Sequence, residues 1–507
     1  MKRGAVIAAA IVVALSSTSC IQKVRHKISA SLQTVDKQAP FLKVHMRNGD
    51  VYVLQKWKLE GAGNLTGYGE LQGVDRRPRD PTAHRIAMED VALFETNVIE
   101  SAPSIAALAV IGTVSVVVSI ACLANPKACF GSCPTFYAPD DATGEAVLQA
   151  EGFSDSIAPS LEANDVNALW RTTSRGGPFT LRLTNEAYET HVIKQADVLA
   201  VPRPPGGRVV ARGDELWAAS QIVPPSGCRA ADGDCVTALR GVDGVARLSL
   251  TDAEDLGARE TIELDFADVA PGRHGVVIAA RQGLVTTFLL YQGLAYLGDT
   301  VGGWLATLER ADAEGRRSGR RWQAALGGIE VQIFERGDWR TVDEVYETGP
   351  IATDVHLLLL PEGAAPERVR LRLARGSWRV DHVAVATLIG RVEPIRIAPH
   401  TIRGTLGAEY AAARTPATAL PIVTQPGDAY TLAYELPRDR GQLELFLDTR
   451  GYYLEWMRKE WTAEQAPLRA LQMLVDPTRA LKIFAPAYKR AEPDIEQLFW
   501  RSRYAQP

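Results

Sequence analysis

The chain has 507 residues, 46% of them hydrophobic and 23% charged, with a net charge of -4. That composition excludes a predominantly disordered protein, and the length exceeds what one ordinary core uses, so several domains are expected. The slightly acidic balance leaves no basic footprint for nucleic acid.

Met1-Lys2-Arg3 opens the chain, an uncharged stretch runs from Gly4 to Leu15, and Ser16-Ser17-Thr18-Ser19-Cys20 follows. A basic start, an apolar core and small residues before a cut are the anatomy of a secretory signal. The core is too short to cross a hydrocarbon layer of about 30 Å as a helix. A Cys directly after small residues resembles the lipobox of bacterial lipoproteins, with Ser17 where such boxes carry an aliphatic residue. The resemblance implies a signal peptide over 1–19, a lipid such as palmitate on Cys20, and a lipid-anchored linker over 20–40. Ile21 in place of Asp points to the outer membrane, with the body of the protein in the cell envelope outside the cytoplasm. Loss of 1–19 removes Lys2 and Arg3 and takes the net charge from -4 to -6.

Beyond the tether, Leu42, Val44 and Met46 alternate with Lys43, His45 and Arg47 before an Asn48-Gly49 turn and Asp-Val-Tyr-Val-Leu, which predicts a hairpin. With a closing strand over Ile86–Phe94 this makes a small β module spanning 41–100. Residues 104–124 carry no charge. They either cross a bilayer or lie buried in the fold as a helix or strands. Alternation at Phe179–Thr184, Val245–Leu250, Thr261–Phe266 and Gly275–Ala279 predicts a β-sandwich over 135–281. Helical spacing of Leu284, Phe288, Tyr291, Ala295, Leu297, Val301, Trp304, Leu305 and Leu308 predicts one internal helix within 283–310. Strands at Ile329–Phe334, Val355–Leu360, Val369–Leu373 and Val383–Ala386 predict a second sandwich over 320–450. Pro467, Pro477, Pro486 and Pro493 divide 456–507 into short helices, with Asp476 capping the one that starts at Pro477. The expected fold is therefore mainly β: multi-domain, sandwich-like modules with one internal helix, an apolar segment and a short helical tail.

Five cysteines remain once Cys20 is assigned to lipid: Cys122, Cys129, Cys133, Cys228 and Cys235. An oxidising compartment favours pairing of Cys228 with Cys235 and of Cys129 with Cys133, leaving Cys122 free or exchanging into the latter pair. No His stands at ligand spacing from either pair, so zinc is not expected. Catalytic motifs are missing as well: no His-Glu-x-x-His, no Gly-x-Ser-x-Gly, no P-loop and no dinucleotide fingerprint. No catalytic, cofactor or metal residues are assigned. His191 has Glu186 and Glu189 nearby, a grouping read as structural hydrogen bonding. Asp381 and His382 are adjacent on a strand and should face opposite ways. Asp232, Asp234, Asp140 and Asp141 offer too few oxygens for calcium. Of the tryptophans concentrated in the second half, Trp339 and Trp378 are the candidates for stacking against a sugar.

Three phrases are similar to a family of uncharacterised bacterial envelope lipoproteins. They are Cys129-Phe-Gly-Ser-Cys-Pro-Thr-Phe-Tyr137 after an apolar run, Leu181-Arg-Leu-Thr-Asn-Glu-Ala-Tyr-Glu-Thr-His191, and Arg450-Gly-Tyr-Tyr-Leu-Glu-Trp-Met457. The likeness carries no activity. The stretch from Trp339 to Asp381 also resembles jelly-roll carbohydrate-binding modules in strand rhythm and tryptophan placement, a likeness at the level of fold. Three functions are therefore weighed. The first is a non-enzymatic, membrane-tethered scaffold or binding protein with an envelope protein or glycan as partner. The second is glycan or peptidoglycan binding through 320–450. The third is a hydrolase whose site is assembled from residues distant in sequence.

Overall fold

A computed structural model describes residues 23–29, 32–61, 63–73, 78–154, less 101–133, together with 156, 159–302, 325–346, 349–404, 421–457, 461 and 464–502. Residues 1–19, expected to be a signal peptide, Cys20, the apolar segment 104–124, Cys122, Cys129 and Cys133, and Trp304, Leu305 and Leu308 of the expected internal helix lie outside the described residues.

The chain is mainly β, built from antiparallel sheets. The first sheet holds six strands in the order β1-β6-β2-β3-β4-β5. Its members are β1 (Lys23–Ser29), β2 (Leu42–Met46), β3 (Val51–Glu60), β4 (Asn64–Gln72), β5 (Thr82–Ala87) and β6 (Val91–Glu100). Leu42, Val44, Leu54, Leu65, Ile86 and Phe94 form its small core. The hairpin around Asn48-Gly49 is present, with Gly49 at a φ of 87° that suits glycine. Two sequence expectations change here. The stretch 20–40, read as a linker, contains β1, which pairs along its length with β6. The closing strand read over Ile86–Phe94 is broken by a 3-10 turn at Met88–Asp90 into two strands.

Four further sheets stack face to face. The outermost on one side runs β24-β26-β10-β7-β8, and the next runs β23-β11-β27-β9. Here β7 is Thr135–Pro139, β8 Ala146–Glu151, β9 Ala163–Ser174, β10 Gly177–Thr184, β11 Glu189–Pro202, β23 Ile395–Ile397, β24 Thr401–Gly404, β26 Ala429–Leu436 and β27 Leu443–Glu455. The third sheet is β12-β13-β22-β17-β20 and the fourth β15-β14-β16-β21-β18-β19. Their members are β12 (Arg208–Arg212), β13 (Glu215–Val223), β14 (Gly227–Ala230), β15 (Gly233–Asp234), β16 (Arg259–Asp265), β17 (Arg273–Gln282), β18 (Ile329–Glu335), β19 (Asp338–Val345), β20 (Asp354–Leu359), β21 (Arg368–Ala374) and β22 (Trp378–Val392).

The strands do not sort into sheets by the ranges 135–281 and 320–450. All of the third and fourth sheets comes from residues 208–392, inserted between β11 and β23 of the first sandwich. Thus β10 pairs with β26 and β11 with β27. Alternation explains the stacking. Ala196, Val198, Ala200, Leu445 and Leu447 face the first interlayer core. Leu199, Val201 and Phe446, their neighbours in sequence, meet Val277, Ala279, Ala384 and Ala386 in the second. Val276, Ile278, Val383 and Val385 close the third against Val331, Ile333, Val369 and Leu371. The two middle sheets are buried on both faces, so β11 and β22 carry long runs of consecutive buried residues. Arg208 ties the middle layers together: it grips Glu444 with two hydrogen bonds of 2.8 Å and stacks 3.6 Å over the Trp170 ring.

The internal helix is α1 (Val285–Leu297), continued by a 3-10 turn at Gly298–Thr300. After β27 come α2 (Pro467–Val475) and α3 (Pro477–Ser502). Asp476 caps α3 as expected, accepting the Arg479 N–H at 3.0 Å. Pro486 and Pro493, however, lie inside one continuous helix of 26 residues. Tertiary contacts hold it across both prolines. Glu492 accepts from the Thr251 N–H and hydroxyl at 2.7 and 2.8 Å, and Glu496 pairs with Arg281 and Arg379.

Candidate partner-binding face

The fourth sheet is the outermost layer on its side, so one face is core and the other meets solvent. Along β18, Ile329, Val331 and Ile333 point inward, as do Val369, Leu371 and Leu373 on β21. Period-two geometry then sends Glu330, Gln332, Phe334, Arg368, Arg370 and Arg372 outward. Cross-strand register sets Glu330 opposite Arg372 and Gln332 opposite Arg370.

The β18–β19 hairpin adds the remaining side chain. Its two turn residues, Arg336 and Gly337, both have positive φ, 56° and 87°, the geometry whose twist suits a two-residue hairpin loop. That turn brings Trp339 beside Phe334, ring centroids 5.3 Å apart at 63°. The Arg368 guanidinium lies 4.6 Å from the Phe334 centroid and 5.5 Å from that of Trp339. Arg370 lies 4.5 Å from Trp339 and donates through Nε to Gln332 at 2.7 Å.

Charge is distributed unevenly over this face. Arg372 pairs with Glu330 at 2.6 Å, and Arg229 of β14 pairs with Asp265 at 3.0 Å. Arg368 and Arg370 have no carboxylate partner among the described residues. Both are held over aromatic rings, which restrains their planes; Arg368 is exposed and Arg370 half-buried. Phe334 is 37% exposed. The arrangement can receive an anionic group, bidentate on a guanidinium, with apolar contact beside it.

Trp378 is a correction to the sugar-stacking pair. It is 2% exposed and sits in the core between the third and fourth sheets, where no sugar reaches its ring. Trp339 is on the solvent side, but the two guanidinia already stand over its ring. Arg368, Arg370 and Phe334 escaped the sequence reading. The alternation Val369-Arg-Leu-Arg-Leu was a sufficient signal for outward arginines, yet it could not show that their neighbours across the sheet are aromatic rather than acidic.

The other candidates are internal. Cys228 and Cys235 form a disulfide with Cα atoms 5.1 Å apart. His191 and Glu189 are both fully buried, Nε2 to Oε1 2.6 Å, and Asn185 donates to the Glu189 carbonyl at 2.9 Å. Glu186 instead accepts from the Tyr137 hydroxyl at 2.6 Å. Asp381 accepts from the Gly244 N–H at 3.2 Å, while His382 donates through Nδ1 to the Leu239 carbonyl at 3.2 Å. Burial pushes the Asp381 carboxyl up to about 6 and the His382 imidazole down to about 4. Asp232 is taken up by Arg247 at 2.7 Å, Asp140 by Arg171, and Asp141 by the Thr173 N–H and hydroxyl. No group of metal-holding side chains occurs among the described residues, and no helix among them is long and apolar enough to cross a membrane.

Protein-family models, characterised proteins and solved structures were all compared with the chain, and none matches.

Proposed function

We propose that this chain is a non-enzymatic scaffold or binding protein of the bacterial cell envelope, tethered through a lipid on Cys20. In this reading it presents the fourth sheet to a partner that is acidic at the point of contact. The observation that carries the binding role is the pair of carboxylate-free arginines, Arg368 and Arg370, held over Phe334 and Trp339 on an open sheet face. A cation already fixed in one orientation loses little freedom when an anion arrives, so such a site favours recognition. Site-specific photo-crosslinking from position 341, in cells of the source organism, tests it. A discrete adduct should form with the native face and vanish in Arg368→Glu/Arg370→Glu. An adduct indifferent to that change would overturn the assignment.

Glycan or peptidoglycan binding by the same face is the second reading, favoured by the partial exposure of Phe334 beside Trp339. Retention of the protein on peptidoglycan, lost with Trp339→Ala and weakened by salt, would support it. No retention would leave the protein-partner reading alone. The tether is tested separately: acylation predicts a lipid mass on Cys20 and transfer into detergent, both lost in Cys20→Ala.

A further inference from the structure

We infer that the α1–α2–α3 corner of the molecule rests on the bilayer that holds the tether, through Leu468, Val475, Ile483, Arg469 and Arg479. The inference builds on lipidation of Cys20 and adds to it a second, non-covalent contact whose lipid class is set by charge.

Distance along the chain is the first argument. Lys23, where β1 begins, is three residues beyond Cys20, a reach of about 11 Å when fully extended. An acylated Cys20 lies at the headgroup boundary, so β1 starts within that distance of it. β1 packs against the 3-10 turn Gly298–Thr300 that continues α1. The same turn is joined to the start of α2, because Gln465 accepts the Asp299 N–H at 2.8 Å. Backbone bonds from Glu464 to the Ala295 carbonyl and from Ala466 to that of Tyr296 complete the junction. Tether, first strand and α2 are thus contiguous.

The second argument is what that corner exposes. Leu468 is 61% exposed, Val475 54% and Ile483 58%, whereas the opposite sides of α2 and α3 are core. A cleft of about 310 Å³ opens between the helices, with Tyr296, Met473, Ala480 and Phe484 as its apolar wall. Arg469 and Arg479 also line it, with Asp476, whose Oδ1 accepts the Arg479 backbone N–H at 3.0 Å; neither guanidinium forms an ion pair among the described residues. Apolar side chains interleaved with unneutralised cations on paired helices suit a negatively charged bilayer surface, in which the leucine and isoleucine enter the headgroup boundary.

The test uses the full chain carrying Cys20→Ala, so that acylation plays no part, and sucrose-loaded vesicles. Equal parts phosphatidylcholine and phosphatidylglycerol are compared with phosphatidylcholine alone. Cosedimentation should favour the anionic vesicles and fall with salt. Arg469→Gln and Arg479→Gln should each weaken it about fivefold, with the unfolding midpoint unchanged because both side chains are exposed. Equal binding to the two vesicle types, or binding indifferent to both substitutions, would overturn the inference whatever Cys20 carries. Concentration-dependent dimerisation without vesicles, abolished by Leu468→Asp, would also overturn it by assigning this face to a second copy. Failure of the tether itself reads out independently, as absence of a lipid mass on native Cys20.

Discussion

Asp381→Asn should stabilise the protein at neutral pH and make it newly sensitive to acid. Asp381 sits in a β-bulge of β22, where the register jumps between its neighbours, and it is 1% exposed. One oxygen accepts the Gly244 N–H and the other has no hydrogen-bond partner among the described residues. Its folded pKa near 6 lies about two units above the usual 3.8. The folded state therefore binds the proton more tightly than the unfolded chain. This group's stabilising contribution is complete below pH 4 and is lost as pH rises through 6. Each unit corresponds to about 1.4 kcal/mol, so the ionised carboxylate costs about 3 kcal/mol above pH 6.

His382 has the opposite sign. Its pKa is pushed down to about 4 from 6.5, so its contribution is complete above pH 6.5 and is lost as pH falls through 4, again about 3 kcal/mol. In the native chain the two neighbours nearly cancel over this window. Asparagine keeps the acceptor for Gly244 and removes the charge. Urea unfolding should therefore show Asp381→Asn more stable than the native protein by up to about 3 kcal/mol at pH 7.5. The gain should shrink towards zero at pH 4. A destabilised variant at pH 7.5, or a difference independent of pH, would refute the reasoning by showing that nearby Arg281 and Arg171 hold the carboxylate ionised at no net cost.

Three further outcomes follow from the packing. Replacing Cys228 and Cys235 together by serine should lower stability by about 2.5 kcal/mol, the loop-closure cost for a separation of seven residues, measured by urea titration with and without reductant. Glu444→Gln strips Arg208 of its buried carboxylate and should cost about 3 kcal/mol, while the Trp170 stacking and the hydrogen bond to the Trp170 carbonyl remain. Gly49→Ala would set a Cβ 2.4 Å from the Trp456 ring at a positive φ. It should cost about 2 kcal/mol and speed hydrogen exchange in the β2–β3 turn, leaving the four stacked sheets protected.

Much of the strand content was legible because alternation is local. The pairs Val369-Leu371 and Ile329-Val331 are set on their inward face by period two alone. Sheet membership was not legible. Nothing in Phe179–Thr184 announces that its partner is Ala429–Leu436, since that pairing is decided by which apolar faces remain after the inserted sandwich has formed. Length and periodicity also fail where tertiary contacts outvote local signals. The helix across Pro486 and Pro493 is held by Thr251, Arg281 and Arg379, and the strand through Met88 is interrupted. At the candidate face, composition pointed to tryptophan, but burial divides Trp339 from Trp378, and the unpaired arginines beside Trp339 emerge only from register.

The insertion of 208–392 between β11 and β23 bears on how the molecule comes into being. A chain emerging N-terminus first exposes β7 to β11 long before β26 and β27 arrive to pair with them. The inserted sandwich is complete within its own stretch and can form meanwhile, whereas the outer one waits with open strand edges, a slow and aggregation-exposed interval. The two sandwiches therefore close in the reverse of chain order: the fourth sheet with its arginines is ready before the layer that holds β7 and β10, begun earlier in the chain, can close.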